Sequence, residues 1–236
     1  MGIDVKICGI NEPRSLQAAV GHGARYIGFV FYEPSPRYIA PGIASQLAWQ
    51  VGTTSRIVGL FVEPSDDFLD DVVSQTPLNM IQLHGDETPG RVAEIRARYS
   101  IPVMKAFRIG EKADFDPVPA YEGVADWFLF DARPPKNVAS LPGGTGTAFD
   151  WQLLTGQQFN RPWMLAGGLN ADNLKAAVEA TGASTIDVSS GVEQAPGRKD
   201  PEKITALLEL ADTLSSPAQN SAGKKAQSLG LLLPEG

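Results

Sequence analysis

The stretch MGIDVKICG, residues 1–9, is a strand with two different faces. Ile3, Val5 and Ile7 alternate with Asp4, Lys6 and Cys8, the two-residue period that sends apolar side chains to one side of a sheet and polar-bearing ones to the other. Gly9 then turns the chain, and a capped helix is expected from near Asn11. Strand, turn and helix form one βα unit. Seven more short β-branched or aromatic runs follow, at residues 26–31 (YIGFVF), 56–62 (RIVGLFV), 78–84 (LNMIQLH), 102–108 (PVMKAFR), 127–131 (WFLFD), 163–166 (WMLA) and 184–189 (STIDVS). Eight strands alternating with helical segments in a chain of this length predict a closed, single-domain (β/α)8 TIM barrel over an open doubly wound sheet.

The connections carry their own signals. Ser65 before Asp66 and Asp67 suits a helix start, because a hydroxyl and two carboxylates meet unpaired amides and the positive helix end. Thr88-Pro89 and Asp200-Pro201 each place a capping residue before a proline, which loses no needed hydrogen bond in the first turn. Asn170 is expected to cap a helix over 171–180 that Gly182 stops. Pro117 and Pro119 predict a short or broken helix in the fifth unit.

The chain has 236 residues, 43% of them hydrophobic, enough for one sizeable core. A net charge of −7 and a pI near 4.9 give no broad basic field, which argues against nucleic acid or an anionic membrane as a general partner. An anionic substrate therefore needs a local cationic site. The single cysteine cannot form an intramolecular disulfide. There is no basic-then-apolar leader and no apolar run of the roughly 18 residues a membrane span needs, so the expectation is a cytoplasmic protein. Residues 1–214 are assigned to the barrel, and residues 215–236, rich in Ser, Ala, Gln, Gly and Lys, to a mobile tail.

In such a barrel the loops after the strands build the active site. Those positions hold Cys8-Gly9, Ser35-Pro36-Arg37, His84-Gly85-Asp86, Asp131, Gly143-Gly144-Thr145-Gly146, Gly167-Gly168 and Ser189-Ser190-Gly191. Gly167 and Gly168 after strand seven, with Ser189, Ser190 and Gly191 after strand eight, suit a phosphate, since backbone amides approach an anion closely there. The loop containing Gly144 reads as a lid or substrate wall. Arg37 either grips a carboxylate or is a solvated arginine. His84 either touches substrate or is structural, and His22 is structural. The two histidines give no metal-ligand spacing. Across one pocket, Cys8 and Asp131 offer a proton acceptor and a proton donor. Lys6, deeper than Cys8, needs a carboxylate partner, for which Asp187 is a candidate.

The strings KICGI at residues 6–10, GFVFYEPSPRYI at 28–39, VGLFV at 58–62, QLHGDE at 82–87, GGTG at 143–146, AGGL at 166–169 and DVSSGVE at 187–193 occur in this order. In combination they resemble the phosphoribosylanthranilate isomerase family of tryptophan biosynthesis, over about residues 3–210. The resemblance implies an Amadori rearrangement of N-(5-phosphoribosyl)anthranilate to 1-(2-carboxyphenylamino)-1-deoxyribulose 5-phosphate, with no metal or organic cofactor. It further implies Asp131 as general acid, Cys8 as general base, Arg37 at the anthranilate carboxylate, the two glycine-serine clusters at phosphate and Asp187 at the ribose hydroxyls. The expected partner is this small phosphoribosyl substrate, and the expected assembly a monomer or homodimer. Asn11 and Arg198 depart from the residues usual in the family. Other readings are a different phosphosugar barrel, such as ribulose-phosphate epimerase or indole-glycerol-phosphate synthase, and a silent phosphosugar-binding barrel that regulates a partner. The epimerase is expected to need metal ligands this histidine-poor chain lacks.

Overall fold

Eight parallel strands close into a ring in sequence order: β1 (Asp4–Cys8), β2 (Tyr26–Val30), β3 (Arg56–Phe61), β4 (Met80–Leu83), β5 (Val103–Ile109), β6 (Trp127–Ala132), β7 (Trp163–Leu165) and β8 (Thr185–Val188), which returns to pair with β1. This computed structural model describes residues 2–133 and 150–214. The loop containing Gly144 and the tail 215–236 lie outside the described residues.

The alternation of β1 sorts its side chains as expected. Ile3, Val5 and Ile7 join the large apolar layer between barrel and helices, while Lys6 faces inward, fully buried. A second apolar cluster, including Val58, Met80, Met104, Leu129 and Met164, fills the barrel interior. Above it, at the mouth, Cys8 packs with Val30 and Leu60. The lower interior is thus apolar along β2 to β7, while β1 and β8 carry polar side chains inward.

The helices are α1 (Pro13–Gly21), α2 (Pro41–Ala48), α3 (Asp66–Gln75), α4 (Pro89–Tyr99), α5 (Leu174–Thr181) and α6 (Pro201–Thr213). Ser65, Thr88 and Asp200 cap α3, α4 and α6 through their side chains, and Gly182, in the left-handed region at φ 72°, ends α5. The proline-rich fifth connection holds two short 3-10 turns, Lys112–Phe115 and Val118–Tyr121.

Two expectations need correction. Asn170 does not start α5; its Oδ1 accepts from the amides of Asp172 and Asn173, forming a separate turn that delays the helix to Leu174. Asn11 does not cap α1, which begins after Glu12; its side-chain amide donates to the Gly197 carbonyl 3.2 Å away. In the fifth connection, as its prolines predict, 3-10 turns stand in place of an α-helix, and another, at Trp151–Leu154, serves the described part of the sixth. After β8 the chain also makes a small hairpin, β9 (Glu193–Ala195) with β10 (Arg198–Lys199), before α6.

Candidate active site

One pocket opens at the C-terminal mouth of the barrel. Cys8, Arg37, His84, Asp131, Gly167, Gly168, Asp187, Ser189 and Ser190 all line it, although they come from six of the eight strands and the loops that follow them. Gly191 does not line the pocket. It lies against the Leu169 carbonyl where any Cβ would collide, so it lets the β7 and β8 loops approach each other. Gly167 and Gly168 have φ values of 90° and 66°, a backbone path that L side chains resist.

On the β8–β1 wall, paired register places Lys6 beside Asp187, and the ammonium donates to Asp187 Oδ1 at 2.9 Å. The expected ion pair is present. Burial works against the Lys6 charge, but Asp187 and Cys8 more than offset it and raise the lysine's pKa. Burial likewise pushes the Cys8 thiol up, while Lys6 and, more weakly, Lys199 pull toward the thiolate.

Arg37 is buried and held by a second carboxylate. Its Nε and Nη2 donate to the two oxygens of Glu193, each at 2.8 Å. The forked edge expected to grip a substrate carboxylate is therefore engaged within the protein, which fixes the guanidinium plane. Lys199 completes this corner by donating to Glu193 Oε1 at 2.9 Å and to the Ser189 carbonyl at 2.9 Å. Burial raises the Glu193 carboxyl, but Arg37 and Lys199 outweigh it and leave the pKa below the usual value. Ser189 in turn donates its hydroxyl to the Cys8 carbonyl at 3.1 Å, tying β8 to the C-terminal end of β1.

On the β4–β6 wall, Asp131 Oδ1 accepts the Ala132 amide at 2.8 Å. Its Oδ2 lies 3.3 Å from His84 Nε2, in ion-pair range but without hydrogen-bond alignment. The Gln82 amide meets His84 Nδ1 at 3.0 Å, and with that amide as donor the ring proton is assigned to Nε2, the nitrogen beside Asp131. His84 is thus a neighbour of the candidate acid as well as a wall of the pocket. Just below, Lys105 donates to Glu87 at 2.9 Å and to the carbonyls of Gly85 and Ala106, clamping the turn that carries His84.

Sequence reasoning missed Glu193, Lys199, Gln82 and the Lys105–Glu87 pair. For the first two a partial signal existed. Pro196-Gly197 is a hairpin turn that folds Arg198 back onto Ala195; an irregularity between Arg198 and Lys199, which the turn does not announce, then sets Lys199 opposite Glu193 rather than Gln194.

A closed (β/α)8 barrel with a thiol, a carboxyl group and glycine-serine loops around one mouth is the architecture of an enzyme acting on a small phosphorylated substrate by acid and base. The family description "N-(5'phosphoribosyl)anthranilate (PRA) isomerase" matches residues 5–210. The N-(5'-phosphoribosyl)anthranilate isomerase of Rhodospirillum centenum is 57% identical over 214 residues, covering 91% of this chain and all of that protein. That of Paracoccus denitrificans is 53% identical, covering 89% and 98%. The crystal structure of phosphoribosyl anthranilate isomerase from Thermotoga maritima superposes with a TM-score of 0.80 at 34% identity, covering 90% of this chain and all of that one. The chain belongs to the N-(5'-phosphoribosyl)anthranilate isomerase family.

Proposed function

We propose that this chain isomerises N-(5-phosphoribosyl)anthranilate to 1-(2-carboxyphenylamino)-1-deoxyribulose 5-phosphate, with Asp131 as acid and Cys8 as base. Asp131 protonates the furanose ring oxygen as the C1′–O bond breaks, leaving an iminium at C1′. The Cys8 thiolate then removes the C2′ proton, and the electron pair moves into the iminium to give an enolamine. Proton transfer to C1′ and loss of the hydroxyl proton give the ketone. The iminium of the substrate itself is the electron sink, so the chemistry asks for no organic cofactor or metal.

Cys8 and Asp131 opening onto one pocket from separate walls is the observation that carries this reading. Gly167, Gly168, Ser189 and Ser190 form the end suited to phosphate, with backbone amides as donors. Arg37 faces the anthranilate carboxylate, and because Glu193 holds Nε and Nη2, it offers charge from a fixed position rather than a free fork. Asp187 faces the ribose hydroxyls. A solved phosphoribosyl anthranilate isomerase in complex with reduced 1-(o-carboxyphenylamino)-1-deoxyribulose 5-phosphate, similar to this chain at 33% identity and a TM-score of 0.77, supports a product-shaped pocket in this fold. No helix among the described residues is long and apolar enough to cross a membrane. The proposed setting is the cytoplasm, with light scattering to distinguish monomer from homodimer.

The test is to add purified protein to freshly generated phosphoribosylanthranilate and follow loss of the anthranilate-type fluorescence without added metal. Steady consumption at catalytic protein concentrations is expected. Binding without consumption would instead indicate a silent phosphosugar-binding barrel.

A further inference from the structure

Cys8 occupies an awkward place for a base. Burial alone favours the neutral thiol, whereas proton removal from carbon requires the thiolate. The charged groups around it are therefore decisive. From β1 comes Lys6, from β8 Asp187, from the β9–β10 hairpin Glu193 and Lys199, and from the β2 loop Arg37; His84 and Asp131 face the same pocket from β4 and β6. On the β8–β1–β2 side three cations stand against two carboxylates.

Lys6 is the member of this set built into the strand beneath the thiol. Its ammonium is fully buried and anchored to Asp187 at 2.9 Å. Gly28, paired with Cys8 in the β1–β2 register, leaves open the space that both groups flank: a Cβ on Gly28 would lie 3.1 Å from Lys6 Nζ and 3.2 Å from Cys8 Sγ. A side chain there would crowd ammonium and sulfur together. We propose that Lys6 is a positioning residue for the base: anchored by Asp187 and brought alongside Cys8 over Gly28, its ammonium sets the fraction of Cys8 present as thiolate. The inference rests on the reading of Cys8 as base, and deepens it. Asp187 acts on the thiol in two ways: it holds the lysine in place, and its own negative charge nearby disfavours the thiolate.

The test uses the fact that Cys8 is the only cysteine in the chain. The rate of iodoacetamide alkylation, measured against pH on ligand-free protein, reports this thiol alone, and thiolate ultraviolet absorbance checks it. In Lys6→Gln, which keeps a donor for Asp187 but removes the charge, the midpoint is expected to move up by about one pH unit or more, an approximately tenfold smaller thiolate fraction at a given pH below the midpoint. In Lys6→Arg, which keeps a cation against Asp187, the midpoint is expected to stay near that of wild type. General loosening of the pocket would move both variants alike, and Lys6→Met, which also removes the charge, repeats the test if Lys6→Gln fails to fold. A midpoint in the charge-removing variant within a few tenths of a unit (roughly, set against shifts of this size) of wild type, or a Lys6→Arg midpoint raised as far as it, overturns the proposal. Because this titration needs no turnover, its failure is distinguishable from failure of the isomerase assay.

Discussion

Two buried lysine–carboxylate pairs sit in the upper barrel, Lys6–Asp187 and Lys105–Glu87, both with N–O distances of 2.9 Å. Both must offset the desolvation of two charges, which makes neither a cheap source of stability. They differ in what the ammonium does with its other donors. Lys105 gives them to the carbonyls of Gly85 at 2.7 Å and Ala106 at 3.1 Å, and Glu87 in turn accepts the amides of Glu63 and Gly85. That pair is a saturated clamp on the turn after β4. Lys6 has one carboxylate anchor and lies next to the candidate base. On the proposed reading, the same ion pair builds structure where its donors go to backbone carbonyls and tunes chemistry where one turns to the thiol.

The largest effect that would sharpen this division lies on the chemical side. Asp131→Ala is expected to lower kcat by about 10²- to 10⁴-fold, the range of a positioned general acid, with only a small change in melting temperature. A loss below roughly tenfold would remove Asp131 from the acid's role.

On the structural side, Lys105→Met leaves Glu87 buried without its cation. It is expected to cost about 3–5 kcal/mol of unfolding free energy in urea melts, as breaking a buried pair does. A cost under about 1 kcal/mol, the value of an exposed pair, would mean the clamp is dispensable.

Arg37→Ala should act mainly on binding. Losing a charge-assisted contact worth about 1.5–3 kcal/mol raises KM by roughly 10- to 100-fold with kcat less affected. Unchanged apparent affinity would take Arg37 out of the carboxylate end.

Acid should report the carboxylates. Burial raises the pKa values of Glu87 and Glu193, but Lys105 for the first, and Arg37 with Lys199 for the second, bring both below 4.5. A lowered folded pKa contributes stability above the unfolded value, and that contribution is lost as pH falls through the folded one. Stability should therefore decline as pH falls below about 4.5, and Glu87→Gln should make that decline shallower. An equally steep acid limb in the variant would show that Glu87 is not a source of it. The smallest effect is expected far from both pairs: Ser65→Ala removes the α3 cap and should cost about 1 kcal/mol in the same melts.

Much of this arrangement was readable because it depends on local period. Alternation on β1 put Lys6 and Cys8 on one face and called for a carboxylate, and ring closure supplied Asp187 from β8. The eight strands were readable for the same reason. What was hidden depends on contacts between distant segments. Arg37 and Glu193 are 156 residues apart, and nothing local in the β2 loop says that the arginine's forked edge is already occupied. Asn170 misled because asparagine closes a turn with its own neighbours as readily as it caps a helix. Asn11 misled because a contact with the Gly197 carbonyl, a residue near the other end of the barrel sequence, took its side chain. Long-range partners outweighed local preference in each loop at the mouth, where function concentrates.

The division between chemistry and scaffold stands or falls on the thiol. Wild-type protein and Cys8→Ala should be compared in parallel on freshly generated phosphoribosylanthranilate, following fluorescence loss without added metal and checking both by melting curve. The expected result is turnover by the wild type and at least about a hundredfold loss in a Cys8→Ala protein that melts as the wild type does. Turnover by Cys8→Ala at the wild-type rate would contradict the assignment of Cys8 as the base.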